Sequence, residues 1–367
     1  MTRKVKLIKN GTLILPDRDE PVVGDLQIAG GKIAKVELRD GRRRGSDGSA
    51  KGAEVIDAKG LMVLPGLIDM HVHLREPGEE GSETIASGTA AAAAGGITAV
   101  ACMPNTYPPT DNQESVLFIK QRAANCPARV YPIGAITKGR EGTEIAEIGE
   151  MIEIGAVAIS DDGTPVKDAV MMRRALEYAG MFDIPVISHS EDLSLAGDGV
   201  MHEGYESTRL GMAGIPAVAE EVCVARDLIL AKCVGTHLHI AHVSTKGAVE
   251  LIRQAKREGV RVTAEATPHH FSLTDKLIGE EFDTNLKMNP PLRTREDIDA
   301  IIAGLADGTI DCIASDHAPH STESKDVEFD QAPNGIVGLE TIVGLAITNL
   351  VRKGHLTWND LARKMSQ

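Results

Sequence analysis

From about residue 65 onward, short apolar runs alternate with longer stretches that have helical periodicity. This alternation is typical of β-α-β units around a parallel sheet. Eight such runs with helices between them favour a closed (β/α)8 barrel over the alternative, a doubly wound open sheet. The predicted strands are LIDMH (67–71), ITAVACM (97–103), RVYPIGAI (129–136), AVAIS (156–160), IPVISH (184–189), HLHIAHV (237–243), VRVTAEA (260–266) and IDCIAS (310–315), and the predicted helices include 83–94, 218–233, 247–259 and 335–354.

The first 64 residues have a different pattern. Short strands such as VKLIKN, DLQIAG and KIAKVEL are separated by turn signals at Asn10-Gly11 and Gly30-Gly31, which predicts a small β-sandwich appendage. The polar, glycine-rich segment 41–52 within it is predicted to be a surface loop. We therefore predict two domains, a β appendage over residues 1–64 and a barrel over residues 65–367.

Composition restricts the function. The chain has 367 residues and a formal charge of −14, which argues against a nucleic-acid or anionic-membrane surface, so an anionic substrate requires local positive charge. The five cysteines show no CxxC spacing and indicate neither a disulfide framework nor a thiolate metal site. The N-terminus does not resemble a signal peptide, and no run of 18 apolar residues occurs. We expect a cytoplasmic protein.

Histidine and aspartate residues follow several predicted strands. His71 and His73 end the first strand, where the period of two places both imidazoles on one face. A lone His-x-His pair is weak evidence for a metal site, because many histidines only satisfy backbone groups. Here, however, five of the eight strand ends carry such residues, and barrel strands end at one rim. The other members are Asp161, Asp162, His189, His242 and Asp316.

This set of side chains indicates the kind of metal. Imidazole nitrogen and carboxylate oxygen without thiolate suit zinc, with manganese or cobalt as alternatives, in a catalytic site that leaves a position for water. His237 and His239 have the opposite strand parity to His242, so we expect them to face the helical layer.

Seven motifs together resemble the amidohydrolase superfamily, and HLREPG with DHAPH resembles the bacterial type I dihydroorotases in particular. The motifs are PGLIDMHVHLREPG (65–78), MPNT (103–106), SDDG (160–163), SHSED (188–192), IAHVST (240–245), NPPLR (289–293) and ASDHAPH (314–320). The resemblance implies a barrel enzyme that reversibly converts (S)-dihydroorotate and water to N-carbamoyl-L-aspartate in de novo pyrimidine biosynthesis, with one or two Zn²⁺ ions per subunit.

The resemblance also implies roles for the metal-binding residues. His71 and His73 would hold one zinc, His189 and His242 a second, with Asp162 bridging them and Asp316 as both metal ligand and catalytic proton shuttle. Many relatives carry a carboxylated lysine at the bridge, whereas SDDG contains no lysine. This departure matches the type I dihydroorotases and argues against the hydantoinases, while Asp161 stays open as the alternative bridging ligand.

Four further residues are implied to bind substrate: Arg75, Asn105, Asn289 and His320. An arginine can hold a carboxylate through two parallel charge-assisted hydrogen bonds, which would supply the local positive charge. Without the resemblance, Arg75 would be read as part of a surface salt bridge, Asn105 as a turn residue and His320 as a loop residue.

Two alternatives from different classes stay open. One is another cyclic amidase, a hydantoinase or allantoinase; Arg75 and the missing lysine favour a dihydroorotase over it. The other is a catalytically inactive homologue that serves as a scaffold for aspartate carbamoyltransferase, against which all six ligand positions are filled. The resemblance further implies a homodimer. The family normally continues beyond the final LARKMSQ, so we expect the β appendage to be incomplete if the chain is a fragment.

Overall fold

A computed structural model describes residues 5–39 and 52–367, so the loop predicted over 41–52 lies outside the described residues except for its last position. The strands are β1 (Val5–Leu13), β2 (Val22–Ala29), β3 (Lys32–Leu38), β4 (Glu54–Asp57), β5 (Met62–Val63), β6 (Leu67–Val72), β7 (Ile97–Cys102), β8 (Arg129–Pro132), β9 (Ile159–Ser160), β10 (Val186–Ser188), β11 (Met201–His202), β12 (Gly214–Ile215), β13 (Leu238–Ile240), β14 (Val262–Ala266) and β15 (Cys312–Ile313).

The helices are α1 (Ile85–Ala94), α2 (Gln113–Ala123), α3 (Ile148–Ile154), α4 (Ala169–Gly180), α5 (Leu193–Ala196), α6 (Tyr205–Leu210), α7 (Ala217–Val234), α8 (Lys246–Arg257), α9 (Pro268–Ser272), α10 (Arg295–Asp307), α11 (Thr322–Lys325), α12 (Ile342–Ala346) and α13 (Trp358–Ser366). A π-helical turn, Ile347–Val351, follows α12 directly. No helix among the described residues is both long enough and apolar enough to cross a membrane.

The chain divides into two compact units. The first consists of Met1–Leu67 together with Leu356–Gln367, and the second of Ile68–His355. The grouping therefore places α13 with the N-terminal strands, whereas the sequence-based division assigned it to the barrel. The boundaries at residues 64 and 65 stay a prediction.

The first unit contains one five-stranded sheet among its described residues, with strand order β3-β2-β1-β4 and β5 also beside β1. Gly30-Gly31 forms the predicted turn between β2 and β3. The turn predicted at Asn10-Gly11 is wrong, because these residues lie inside β1, where the pairing with β2 shifts register. Asn10 adopts the positive φ (63°) that its residue type tolerates, but the strand continues through a bulge.

Helix α13 is tied to the segment that follows β1. Thr357 caps the helix through a reciprocal capping box with Asp360. Asn359, which is fully buried, donates from its side chain to the carbonyl oxygens of Leu15 (2.7 Å) and Arg18 (3.0 Å). A single amide group thus satisfies two main-chain acceptors.

The second unit contains the predicted barrel. Its eight strands have the order β6-β7-β8 in one hydrogen-bonded sheet and β9-β10-β13-β14-β15 in another. Parallel bridges between Gly134 and Ile159 and between Val72 and His317 join these sheets on both sides, so the ring of strands is closed. Closure confirms the (β/α)8 prediction and excludes the open sheet.

Helices follow the barrel strands in regular alternation: α1, α2, α3, α4, α7, α8, α10 and α12. Helix α8 illustrates why they form, because Val249, Ile252 and Ala255 are buried at helical spacing and Thr245 caps its first turn. Inside the ring, three alanines and four larger apolar side chains, which lie in or next to six of the strands, form one cluster. The cluster consists of Met70, Ala101, Met103, Ile133, Ala158, Ile187 and Ala241.

We expect Asn359→Ala to destabilise the first unit by about 1–3 kcal/mol, because the substitution leaves two acceptors without their donor. Urea denaturation followed by far-UV circular dichroism measures the change. Asn285→Ala is the control, since that side chain is exposed and donates to the side chain of Asp283, which is also exposed. Equal unfolding midpoints for Asn359→Ala and the wild-type protein would contradict this role.

Candidate metal centre and substrate site

All six predicted metal ligands lie where barrel strands end. His71 belongs to β6 and His73 follows it, while Asp162, His189, His242 and Asp316 follow β9, β10, β13 and β15. Each is buried, with at most 6% of its surface exposed. The closed ring of strands therefore brings all six to one rim.

The Asp162 carboxylate lies among the four imidazoles. Its Oδ1 is 3.5 Å from His71 Nε2, 3.5 Å from His189 Nδ1 and 3.7 Å from His242 Nε2. Its Oδ2 is 3.6 Å from His73 Nε2. This central place is the one that a ligand shared by two cations would need.

Asp161 has a different environment. Its Oδ1 accepts hydrogen bonds from the main-chain amides of Ile136 (2.8 Å) and Thr137 (3.1 Å), so it closes the loop after β8. Arg140 from the same loop donates to the main-chain oxygen of Asp162 (2.7 Å). Of the two candidates that the sequence left open, only Asp162 faces the histidines.

Asp316 lies beside the first pair of histidines. Its Oδ1 is 3.0 Å from His73 Nε2 and 3.4 Å from His71 Nε2. Burial by itself would raise the pKa of Asp162 and of Asp316, but the imidazoles, His71 foremost, lower both pKa values below the usual range. Both carboxylates are therefore ionised at neutral pH.

The cluster fits a divalent cation. Burial lowers the pKa of His189, yet the nearby carboxylates of Asp162 and Glu191 outweigh burial and raise it to about 10, so the site favours positive charge. Within residues 5–39 and 52–367, four buried side-chain atoms of the predicted metal ligands have no hydrogen-bond partner. They are His71 Nε2, Asp162 Oδ1, His189 Nε2 and His242 Nδ1. Three overlapping groups bring their ligand atoms within 4.8 Å of one another, namely His71, His73 and Asp162; His71, His242 and Asp316; and Asp162, His189 and His242.

Arg75 and His320 lie together. Arg75, of which 8% is exposed, donates from Nε to the carbonyl oxygen of Pro319 (3.1 Å), and its Nη2 is 3.3 Å from His320 Nε2. Burial and the nearby guanidinium lower the pKa of His320 to about 4, so this imidazole is neutral at pH 7. Arg75 Nη1 is only loosely paired with Glu79, at 3.6 Å. This pair can present positive charge and an uncharged imidazole to an anion.

The two predicted substrate-binding asparagines hydrogen-bond to residues in or beside the histidine and aspartate cluster. Asn105 Oδ1 lies 2.7 Å from His73 Nδ1, so it orients a predicted metal ligand. Asn289 donates to Glu191 (3.0 Å), whose carboxylate lies 3.8 Å from His189 Nε2. Of the four predicted substrate residues, Arg75 and His320 therefore lie next to each other. Asn105 contacts the predicted metal ligand His73, and Asn289 is linked to His189 through Glu191.

Three site residues adopt backbone conformations that L-amino acids rarely adopt. Arg75, His242 and Asp316 have φ values of 59°, 32° and 47°. Such conformations cluster at functional sites because surrounding structure must hold them. Strand periodicity gives no sign of them.

The prediction for His239 is wrong, because the side chain faces the barrel interior. In the strand register His239 lies beside Ile187, a member of the interior cluster. Its Nε2 lies 3.2 Å from Glu265 Oε2. The parity argument failed because His242 lies past the end of β13 with positive φ, where the period of two no longer applies.

Glu265 is a further residue beside the cluster, and strand patterning alone did not identify it. Its Oε1 lies 2.5 Å from His71 Nδ1, and the side chain is fully buried. The signal in the sequence is a carboxylate between two alanines near the end of the predicted strand VRVTAEA, since ionised side chains are rarely buried without a partner.

Comparison with known proteins identifies the family. The model of the family described as "Dihydro-orotase-like" matches residues 60–248. A dihydroorotase from Pelotomaculum thermopropionicum is 59% identical over 351 residues, which cover 96% of this chain and 80% of the relative. A dihydroorotase from Acetivibrio thermocellus is 53% identical over 360 residues, with coverages of 98% and 82%.

Solved structures agree on the fold. An L-hydantoinase (dihydropyrimidinase) from Arthrobacter aurescens has a TM-score of 0.82 at 27% identity, covering 98% of this chain and 80% of that chain. A D-hydantoinase (dihydropyrimidinase) from a Thermus species has a TM-score of 0.78 at 27% identity, with coverages of 98% and 80%. The relatives and the family match together show that the chain belongs to the dihydro-orotase-like family of the amidohydrolase superfamily.

Proposed function

We propose that this enzyme catalyses the reversible hydrolysis of (S)-dihydroorotate to N-carbamoyl-L-aspartate, a step of pyrimidine biosynthesis. The observation that carries the proposal is the convergence of four imidazoles on the Asp162 carboxylate, with Asp316 beside two of them and the Arg75 guanidinium close enough to interact with both carboxylates. The identity of 59% to a dihydroorotase supports the choice of substrate.

The donor set suits Zn²⁺, in one or two ions per subunit. His71 and His73 would hold one ion and His189 and His242 the second, with Asp162 between them and Asp316 as a further ligand. When bound, a divalent cation acidifies water and polarises a carbonyl. The remaining steps belong to the side chains.

Asp316 would act as general base and then as general acid. Its carboxylate accepts the proton of the attacking water while the new C–O bond forms at the ring carbonyl carbon. It then returns that proton to the ring nitrogen as the C–N bond breaks. The step leaves N-carbamoyl-L-aspartate as the product and Asp316 as a carboxylate again. The reverse sequence closes the ring.

Arg75, Asn105, Asn289 and His320 would hold the substrate. Dihydroorotate carries a carboxylate beside its amide ring, and the Arg75 guanidinium can hold that carboxylate by donating two parallel hydrogen bonds to it. The asparagines and the neutral His320 offer hydrogen bonds to the ring. We also propose that the enzyme forms a homodimer, associates with aspartate carbamoyltransferase and is located in the cytoplasm.

We expect Asp316→Asn to retain metal, because the histidines remain, and to lose turnover by about 10²–10⁴-fold, since the amide accepts no proton. A dihydroorotate ring-opening assay with metal analysis of the same sample measures both. Asp299→Asn, at an exposed ion pair with Arg295, is the control. A near-normal rate would remove Asp316 from this role.

We expect Arg75→Gln to lower kcat/KM for dihydroorotate by at least roughly tenfold, the value of one hydrogen bond to a charged group. Any rate with hydantoin, which has no carboxylate, should not change. Arg173→Gln, at an exposed salt bridge, is the matched control. Assays of dihydroorotate, hydantoin and allantoin side by side test the substrate itself, and a preference of the wild-type enzyme for hydantoin or allantoin would overturn the proposal.

Removal of the metal with a chelator should abolish ring opening, and addition of Zn²⁺ should restore it, because the side chains alone do not acidify water. Elemental analysis gives the stoichiometry, with one or two ions per subunit expected. A chain that binds no Zn²⁺ when purified in its presence would support the inactive-scaffold alternative instead.

A further inference from the structure

Glu265 of β14 is a carboxylate inside the barrel with both oxygens occupied. Oε1 lies 2.5 Å from His71 Nδ1 and accepts a hydrogen bond from the main-chain amide of His242 (3.1 Å). Oε2 lies 3.2 Å from His239 Nε2. Because none of its surface is exposed, these protein contacts replace all of its hydration.

The first contact determines the tautomer of His71. An ionised carboxylate only accepts hydrogen bonds, so His71 Nδ1 must carry the hydrogen. Nε2, which lies 3.5 Å from Asp162 and 3.4 Å from Asp316, is then the ring nitrogen left for a cation. This is the form in which a histidine binds a metal, with the other ring nitrogen donating to a carboxylate.

The second contact determines the position of His242. Its main-chain amide binds the Glu265 side chain, and the next amide, that of Val243, binds the Glu265 main-chain oxygen (3.0 Å). These bonds hold the turn after β13, where His242 has a φ of 32°. One residue of β14 therefore sets ligands that come from two other strands.

A chain of polar groups holds Glu265 in turn. His239 Nδ1 lies 2.8 Å from the Thr263 hydroxyl. The same hydroxyl lies 2.8 Å from His237 Nε2. This series of contacts links Glu265 through His239 and Thr263 to His237 and so holds the Glu265 carboxylate in place.

We propose that Glu265 is a positioning residue of the metal site, which fixes the tautomer of His71 and the place of His242 before a cation binds. The inference rests on the proposed function, because it takes the histidine and aspartate cluster as the metal site. Glu265 acts through His71 and His242 and touches no substrate.

The test is the Zn²⁺ affinity of Glu265→Gln, measured by competition with a chromophoric chelator in the absence of substrate. An amide has one accepting end and no charge, so it cannot accept from both His71 and His239. We expect the affinity to fall about 10–100-fold. The absorption spectrum of the Co²⁺-loaded variant should differ from that of the wild-type protein.

Glu220→Gln is the matched control. Glu220 is also buried, with 4% of its surface exposed, and accepts from the main-chain amides of Ser244 (2.9 Å) and Thr245 (3.2 Å), but it contacts no imidazole. This control should lower the unfolding midpoint and leave Zn²⁺ affinity unchanged. Wild-type affinity and spectrum in Glu265→Gln, or equal losses of affinity in both variants, would overturn the inference.

A measurement on the wild-type protein keeps the inference testable if Glu265→Gln does not fold. Long-range ¹H–¹⁵N spectra of metal-free protein labelled at histidine report the tautomer of each ring, and His71→Asn identifies the signal of His71. We expect hydrogen on Nδ1; hydrogen on Nε2 alone would refute the inference. Since no substrate is used, a protein that passes this test and fails to open dihydroorotate disproves only the proposed function.

Discussion

Closure of the eight-stranded ring is the constraint on which the site depends. The bridges Gly134–Ile159 and Val72–His317 complete the ring, and because its strands are parallel, all of their carboxyl ends face one rim. His73 and Asp316 are 243 positions apart in the chain, yet their side chains lie 3.0 Å from each other. An open sheet would place the first and eighth strands at opposite edges, and the cluster would not exist.

Two ionised carboxylates at the rim are stable only because neighbouring side chains compensate for their burial. Ionised carboxylates at Asp162 and Asp316 are buried, and burial is unfavourable unless opposite charge or hydrogen bonds compensate it. The imidazoles provide that compensation, which is why they lower the carboxylate pKa values. In a chain of net charge −14, the buried Arg75 guanidinium also places positive charge near Asp162 and Asp316.

Strand pattern and motif order were sufficient to predict the barrel, its eight strands and a cluster of histidine and aspartate residues at the strand ends, since these depend on where each single strand begins and ends. Relations between strands were not accessible in this way. The choice of Asp162 over Asp161 depends on which carboxylate the amides of Ile136 and Thr137 occupy. Glu265 escaped notice because its partners belong to other strands, and Asn10-Gly11 has the composition of a turn although β1 continues through it.

The left-handed backbone at Arg75, His242 and Asp316 has a consequence for stability. Each such residue costs of order 1–3 kcal/mol relative to an ordinary conformation. Glycine would adopt these angles freely, but it would remove the side chain that each position exists to present. The rim is therefore a place where selection for folding alone and selection for chemistry favour different amino acids. Engineering this barrel for thermal stability alone would favour glycine at these positions and would therefore remove the site.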